Sequence, residues 1–336
     1  MPEIEKGDFA KIVAGIKKEI KTTQARTMRQ VNNNMIMMYF RIGKILYDNS
    51  VDDIYFIKNV ATELRMGFRD LKGFSVRNLQ NMRAFYVEYK DSQAAQQAVA
   101  QLSWGHNLLL MSKIKNKATR MIYVEAVLEN GWSRSMLDMQ IQNKYHKRIG
   151  ASANNFKTVL SSRDGDMANH AFKDPYIFDF LMLRDNYRER ELEGQMVEKI
   201  KNVLLELGNG WSFVGNQYKI IVEGKEYLID MLFYHLKLRC YVVVELKATE
   251  FAPEFIGKLN FYLSAVDELV KSEDDNPSIG LILCREKGKI SVQYSLKNVS
   301  SPIGVSSFKT SALLSGDILK QLPSEDELNL HIDIDS

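Results

Sequence analysis

The sequence predicts an α+β protein, with an all-helical first half followed by an α/β second half on a mixed sheet. Three observations carry this reading. Up to about residue 150, apolar residues recur at spacings of three and four. Beyond Pro175, short apolar runs divided by turn residues take over. The charge also changes sign. Residues 1–165 hold 26 Lys+Arg against 15 Asp+Glu, a net +11, and residues 166–336 hold 19 against 27, a net −8. A chain of 336 residues exceeds what one core usually organises. The domains are therefore placed at 1–168, helical and basic, and 169–336, carrying the sheet.

The composition, 45% hydrophobic and 26% charged, is ordinary for a globular protein. The opening "MPEIEKGDFA" is too charged for a secretory signal, and no apolar run approaches the roughly 20 residues that span a bilayer. A cytoplasmic protein is expected. Cys240 and Cys284 both fall in apolar strand-like runs, which suits buried thiols and excludes a disulfide framework or zinc cluster.

In the first half, "KIVAGIKKEIKTTQ", "NNMIMMYFRIGKILYDN", "FSVRNLQNMRAFYVEY" and "WSRSMLDMQIQNKYHKR" read as helices, with Ser75 and Ser133 as N-caps. The passage "NVATELRMGFRDLKGFSVRNLQNMRAFYVEY" permits a helix-turn-helix. Its second helix would present Arg77, Gln80 and Arg83 to DNA. The same pattern fits a solvated face in a bundle. Trp104 and His106 in "LSWGHN" read as packing and capping groups.

In the second half, "RERELEGQMVEKIKNVLLELGNG" reads as an amphipathic helix ending at Gly208. Three strands follow, "WSFVGNQYKIIV", "YLIDMLFYH" and "RCYVVVELKA", joined by short turns as an antiparallel meander. A helix from Pro253 then crosses over to "PSIGLILCRE", which should lie parallel to the third strand. The tail offers a strand "KISVQYSL", a piece around "PIGVSSF" and a last helix near "ALLSGDILKQL".

The anomaly is charge inside apolar strands. Glu245 and Lys247 interrupt "CYVVVELKA", and Asp230 interrupts "YLIDMLFYH". Residues i and i+2 of a strand share a face, so Glu245 and Lys247 project together. An unpaired carboxylate buried there costs several kcal/mol or gives up its charge. Two carboxylates and a lysine on adjacent strands suit a divalent metal. Asp230 and Glu245 would be ligands to Mg²⁺, with the Leu246 carbonyl as a further one, and Lys247 would orient water or stabilise charge on a phosphate. Glu193, on the preceding helix, could extend the site. The alternative is a structural Glu245–Lys247 ion pair.

At these residues the chain resembles the PD-(D/E)XK nuclease superfamily, and more closely its bacterial YhcG-type family. "IDMLFYHLKLRCYVVVELKATEFAPEFIGKLNFYLSAVDEL", "LLELGNGWSFVGNQYKI", "LSWGHNLLLM" and "NGWSRSMLDMQI" carry the resemblance. It implies a restriction-endonuclease-like domain behind a helical domain, with Asp230, Glu245 and Lys247 catalytic. Glu193 matches the acidic residue of the first helix. Many superfamily members place Gln and Tyr four apart on the helix after the lysine strand. Here those positions are Lys258 and Tyr262, and Asn260 is the candidate replacement for the missing Gln. Gln217 on the first strand is a further candidate.

The expected function is a Mg²⁺-dependent deoxyribonuclease, with Mn²⁺ as a substitute metal, acting on DNA as a homodimer or larger homo-oligomer. Two alternatives are a nucleic-acid-binding or assembly protein with little activity, and a nuclease acting on RNA.

Overall fold

The computed structural model describes residues 6–49, 54–68, 72–183 and 187–310. The expected last helix near "ALLSGDILKQL" lies outside them. The chain divides into two compact units, 1–142 and 143–336.

The first unit is helical throughout. It comprises α1 (Lys6–Asn49), α2 (Ile54–Gly67), α3 (Val76–Tyr89), α4 (Gln93–Ala100), α5 (Trp104–Lys113), α6 (Lys117–Asn130) and α7 (Arg134–Gln142). The two helices read at the start of the chain are one continuous α1. Caps follow the sequence: the Ser75 hydroxyl accepts from the Asn78 amide at 3.3 Å, and the Ser133 hydroxyl from that of Met136 at 3.2 Å. The core includes Ile36 and Phe40 of α1 with Leu79, Met82 and Phe85 of α3. Gly43 is required where these helices meet, because a Cβ there would lie 2.0 Å from the Met82 carbonyl oxygen. His106 is a capping group: its Nδ1 meets the Ser103 hydroxyl at 2.7 Å and its Nε2 the Trp132 carbonyl at 3.0 Å.

The helix-turn-helix expectation spans residues 69–71, which lie outside the described residues. The apolar face of α3 is spent on the bundle, leaving Arg77 and Gln80 exposed and Arg83 half-buried.

The second unit opens with short pieces: α8 (Tyr145–Arg148), β1 (Ala153–Asn154), α9 (Phe156–Val159), α10 (Ser162–Ala171) and β2 (Tyr176–Phe178). Residues 143–168, placed with the helical half by sequence, lie within this unit because β1 pairs with its sheet. A buried cluster reinforces the connection. Arg148 donates to Glu206 Oε1 at 2.5 Å, and the Lys173 ammonium donates to the Glu206 carbonyl.

Next come α11 (Glu189–Glu198), α12 (Ile200–Leu207), β3 (Trp211–Val222), β4 (Lys225–His235), β5 (Cys240–Glu250), α13 (Glu254–Leu269), β6 (Ile279–Glu286), α14 (Lys289–Leu296) and β7 (Ile303–Thr310). The strand order is β1-β7-β6-β5-β4-β3, with β2 parallel to the far end of β7. As expected, β3, β4 and β5 form an antiparallel meander and β6 lies parallel to β5. The β3–β4 turn is Glu223-Gly224, with φ of 50° and 74°, the left-handed pair that a tight hairpin demands.

The stretch "KISVQYSL" is α14, not a strand. Ile290, Val292, Tyr294 and Leu296 alternate with polar residues, but only Val292 and Leu296, four apart, enter the core. Ile290 and Tyr294 are 64% and 75% exposed. Because β7 runs parallel to β6, the connection must cross a sheet face, and a helix does so.

Two apolar layers sandwich the sheet. One joins Leu192, Met196 and Val203 to Met231, Val244 and Leu246. The other joins Leu259, Tyr262 and Val266 of α13 to Val243, Ile282 and Val305. Gly280 lets α13 lie close on the sheet, since a Cβ there would sit 2.7 Å from the Leu259 side chain.

Candidate active site

The site forms where β4 and β5 run between α11 and α13. Asp230 is half-buried on β4, and its Oδ2 accepts from the Leu246 amide at 2.8 Å. This bond fixes the carboxylate against β5. Glu245 is fully buried. Its Oε1 accepts from Lys247 Nζ at 2.9 Å and also from Lys258 Nζ. Its Oε2 is buried with no hydrogen-bond partner among the described residues. A polar atom so placed costs about 1–3 kcal/mol.

Lys247 is 7% exposed and held on several sides. Besides Glu245, its ammonium reaches the Leu246 carbonyl at 3.0 Å and Glu189 Oε2 at 3.2 Å, and it lies 5.2 Å from the Phe255 ring centroid. Burial works against its charge, but the carboxylates of Glu245 and Glu189 outweigh it, so its pKa is raised. Asp230 moves in the direction that disfavours its charge. Burial, then the neighbouring Glu245, push it from 3.8 to about 6, against the Leu246 amide and the two lysines.

A cleft of about 560 Å³ opens beside Asp230, lined by Glu189, Glu193, Asn216, Gln217, Asp230 and Leu246 among others. Glu193, 8% exposed on α11, accepts from Asn216 Nδ2 at 3.0 Å and from Gln217 Nε2 at 2.6 Å. Gln217 has φ of 44°, a left-handed backbone that aims its amide at Glu193.

The structure thus brings together Asp230, Glu245, Lys247, Glu193 and Gln217. Tyr262 lies beside them, its hydroxyl donating to the Leu228 carbonyl at 2.8 Å and its ring 5.3 Å from Lys258 Nζ. Asn260 is not brought in: its Oδ1 accepts from the Ser301 hydroxyl at 2.6 Å. Arg77, Gln80 and Arg83 belong to the other unit. Sequence reasoning missed Glu189 and passed over Lys258 as an engaged residue. Glu189 stands four residues before Glu193, one turn along the same helix face, and that spacing was the available signal.

Residues 169–325 match the YhcG PDDEXK nuclease domain family, and residues 15–148 match the DUF1016 N-terminal domain family. The two matched segments are thus similar to a YhcG-type nuclease domain and to the N-terminal domain of the DUF1016 family. The chain is 26% identical to "Putative nuclease YhcG" of Escherichia coli strain K12, over 95% of this chain and 92% of that one. Two solved structures are partly similar. A repair endonuclease from Pyrococcus abyssi shares 15% identity at a TM-score of 0.25, covering 38% of this chain and 49% of its own. EndoMS in its apo form shares 16% at a TM-score of 0.25, covering 38% and 47%. The present chain spans about half the length of each. The segment that matches the YhcG PDDEXK nuclease domain lies within the second unit.

The donor set fits a hard cation. Among the described residues no three His, Cys, Asp or Glu side chains form a ready cage. Mg²⁺ does not need one, since it keeps several waters and takes one or two carboxylates plus substrate phosphate. The unpartnered Glu245 Oε2 is where such an ion would answer an unmet need.

Proposed function

We propose that the protein is a Mg²⁺-dependent nuclease that hydrolyses phosphodiester bonds in DNA, with Mn²⁺ as a working substitute. The observation that carries this is the fully buried Glu245, with one oxygen shared by two lysines and the other unpartnered, beside an Asp230 whose pKa burial raises to about 6. A structural ion pair would satisfy both oxygens. Asp230 and Glu245 would hold the metal, with the Leu246 carbonyl at hand. The metal would supply Lewis-acid polarisation of a phosphate oxygen.

The chain's own residues do the rest. Lys247, fixed by the Leu246 carbonyl and Glu189, presents positive charge where negative charge grows on the phosphate. Glu193 and Gln217 lock one another and set the wall of the cleft. Tyr262 ties α13 to β4 just before Asp230.

DNA as substrate is supported by the basic first half, which offsets repulsion between DNA and the acidic second half. A cleft of about 670 Å³ in the helical unit includes Arg26, Arg29, Asn33, Asn34, Gln101 and His106 in its lining, and no carboxylate. Cutting both strands of a duplex calls for two sites, so the working form in this reading is a homodimer.

The test is a cleavage assay on plasmid, linear, single-stranded and branched DNA and on RNA. Mg²⁺, Mn²⁺ or EDTA is present, with Asp230→Ala and Lys247→Ala run beside the parent. Metal-dependent cutting of DNA by the parent alone is expected. Equal cutting by the variants removes the assignment. Tight binding without cutting returns the protein to the binding class, and preferential cutting of RNA overturns the substrate.

A further inference from the structure

Two ammonium groups converge on Glu245 Oε1 while Oε2 has none. In this arrangement Lys247 and Lys258 balance the charges of Glu245 and Asp230. A divalent ion between those carboxylates disturbs the balance. At a given distance a divalent ion repels an ammonium twice as strongly as a unit charge does. One ammonium must give way.

The two lysines are not equally able to move. Lys247 rises from a central strand, has a side chain only 9% exposed, and has the Leu246 carbonyl and Glu189 as further partners. Lys258 stands on a helix with its side chain 47% exposed. Apart from Glu245, its described contact is the Tyr262 ring. Its flexible four-carbon stem lets the head swing while the stem stays on that ring.

We propose that Lys258 is a displaceable cation: it occupies Glu245 in the metal-free protein and moves to the scissile phosphate when the metal arrives. This rests on the metal-nuclease reading above and adds a residue to its machinery. One side chain would guard an otherwise unbalanced carboxylate and then supply positive charge to the reaction. It predicts opposite effects of one substitution on two measurements, which a merely structural lysine would not produce.

The experiment uses the full chain and Mn²⁺ alone as the probe. Binding is measured by calorimetry without DNA, and cleavage at saturating Mn²⁺ is measured separately. Lys258→Gln removes the competing charge, so Mn²⁺ should bind about tenfold tighter. Cleavage by the same variant should fall on the order of 100-fold, the scale of losing one transition-state charge partner. Lys258→Arg keeps the charge and should stay within about threefold of the parent in Mn²⁺ affinity. Mn²⁺ affinity that is unchanged or weaker in Lys258→Gln overturns the displacement. Full cleavage by Lys258→Gln overturns the move to phosphate. If the parent binds no Mn²⁺ in a manner that Asp230→Ala abolishes, the metal site itself is refuted, an outcome distinct from either.

Discussion

At the scale of the residue, the acid–acid–lysine set was legible because its members violate their surroundings. A charge inside an apolar strand needs a reason, and Asp230, Glu245 and Lys247 each stand in such a run. Lys258 and Glu189 gave no such signal, because charged residues on helices usually face solvent. Asn260 was a helical-phase error. Residues 258 and 262 share a face, whereas 260 lies about 200° around the helix from 258. Asp230 carries a direct consequence. Its folded-state pKa is raised to about 6, above its unfolded value of 3.8. Its contribution to stability is therefore fully present below about pH 4 and is lost as pH rises through about 6. The metal-free Asp230→Asn variant should exceed the parent in stability at pH 7.5 by about 2 kcal/mol, and the gap should close near pH 4. Urea denaturation at the two pH values reads this. A parent that is as stable as the variant at pH 7.5 would contradict it.

At the scale of the element, the meander and the α13 crossover were legible in detail, because short turns and a long helical insert allow few arrangements. The tail was not. Alternation in "KISVQYSL" imitates a strand, and only the parallel pairing of β6 with β7 shows that a helix is needed there. The brief β1 and β2 carried too few residues for any period to show. In the helical unit the contact of α1 with α3 hangs on Gly43. A Cβ 2.0 Å from the Met82 carbonyl must push the two helices apart. Gly43→Ala should destabilise that unit by about 1–3 kcal/mol despite alanine's better helix propensity. Circular dichroism melting of the full chain checks the sign, and a stabilised variant would show that α1 and α3 do not meet as described.

At the scale of the molecule, the sequence separated a basic helical half from an acidic half with the sheet, and the structure shows the sheet-bearing unit beginning at residue 143. No helix among the described residues is long and apolar enough to cross a membrane. The division of charge bears on substrate affinity. Arg26 and Arg29 line the carboxylate-free cleft of the helical unit. The double variant Arg26→Ala/Arg29→Ala should bind duplex DNA more weakly and reduce the slope of log affinity against log salt by about 2. Its cleavage rate at saturating DNA should match the parent's. Fluorescence anisotropy across a salt series measures the slope, and an unchanged slope would remove these arginines from the DNA contact.

The central claim is that Asp230 and Glu245 together hold a metal ion. The most direct test is anomalous X-ray scattering from crystals of the full chain grown with Mn²⁺. A single strong peak within about 2.0–2.6 Å of an Asp230 carboxylate oxygen and Glu245 Oε2 is the predicted result, with the Lys258 ammonium withdrawn from Glu245. Manganese bound elsewhere, with both lysines still seated on Glu245 in an otherwise cleavage-competent protein, would contradict it.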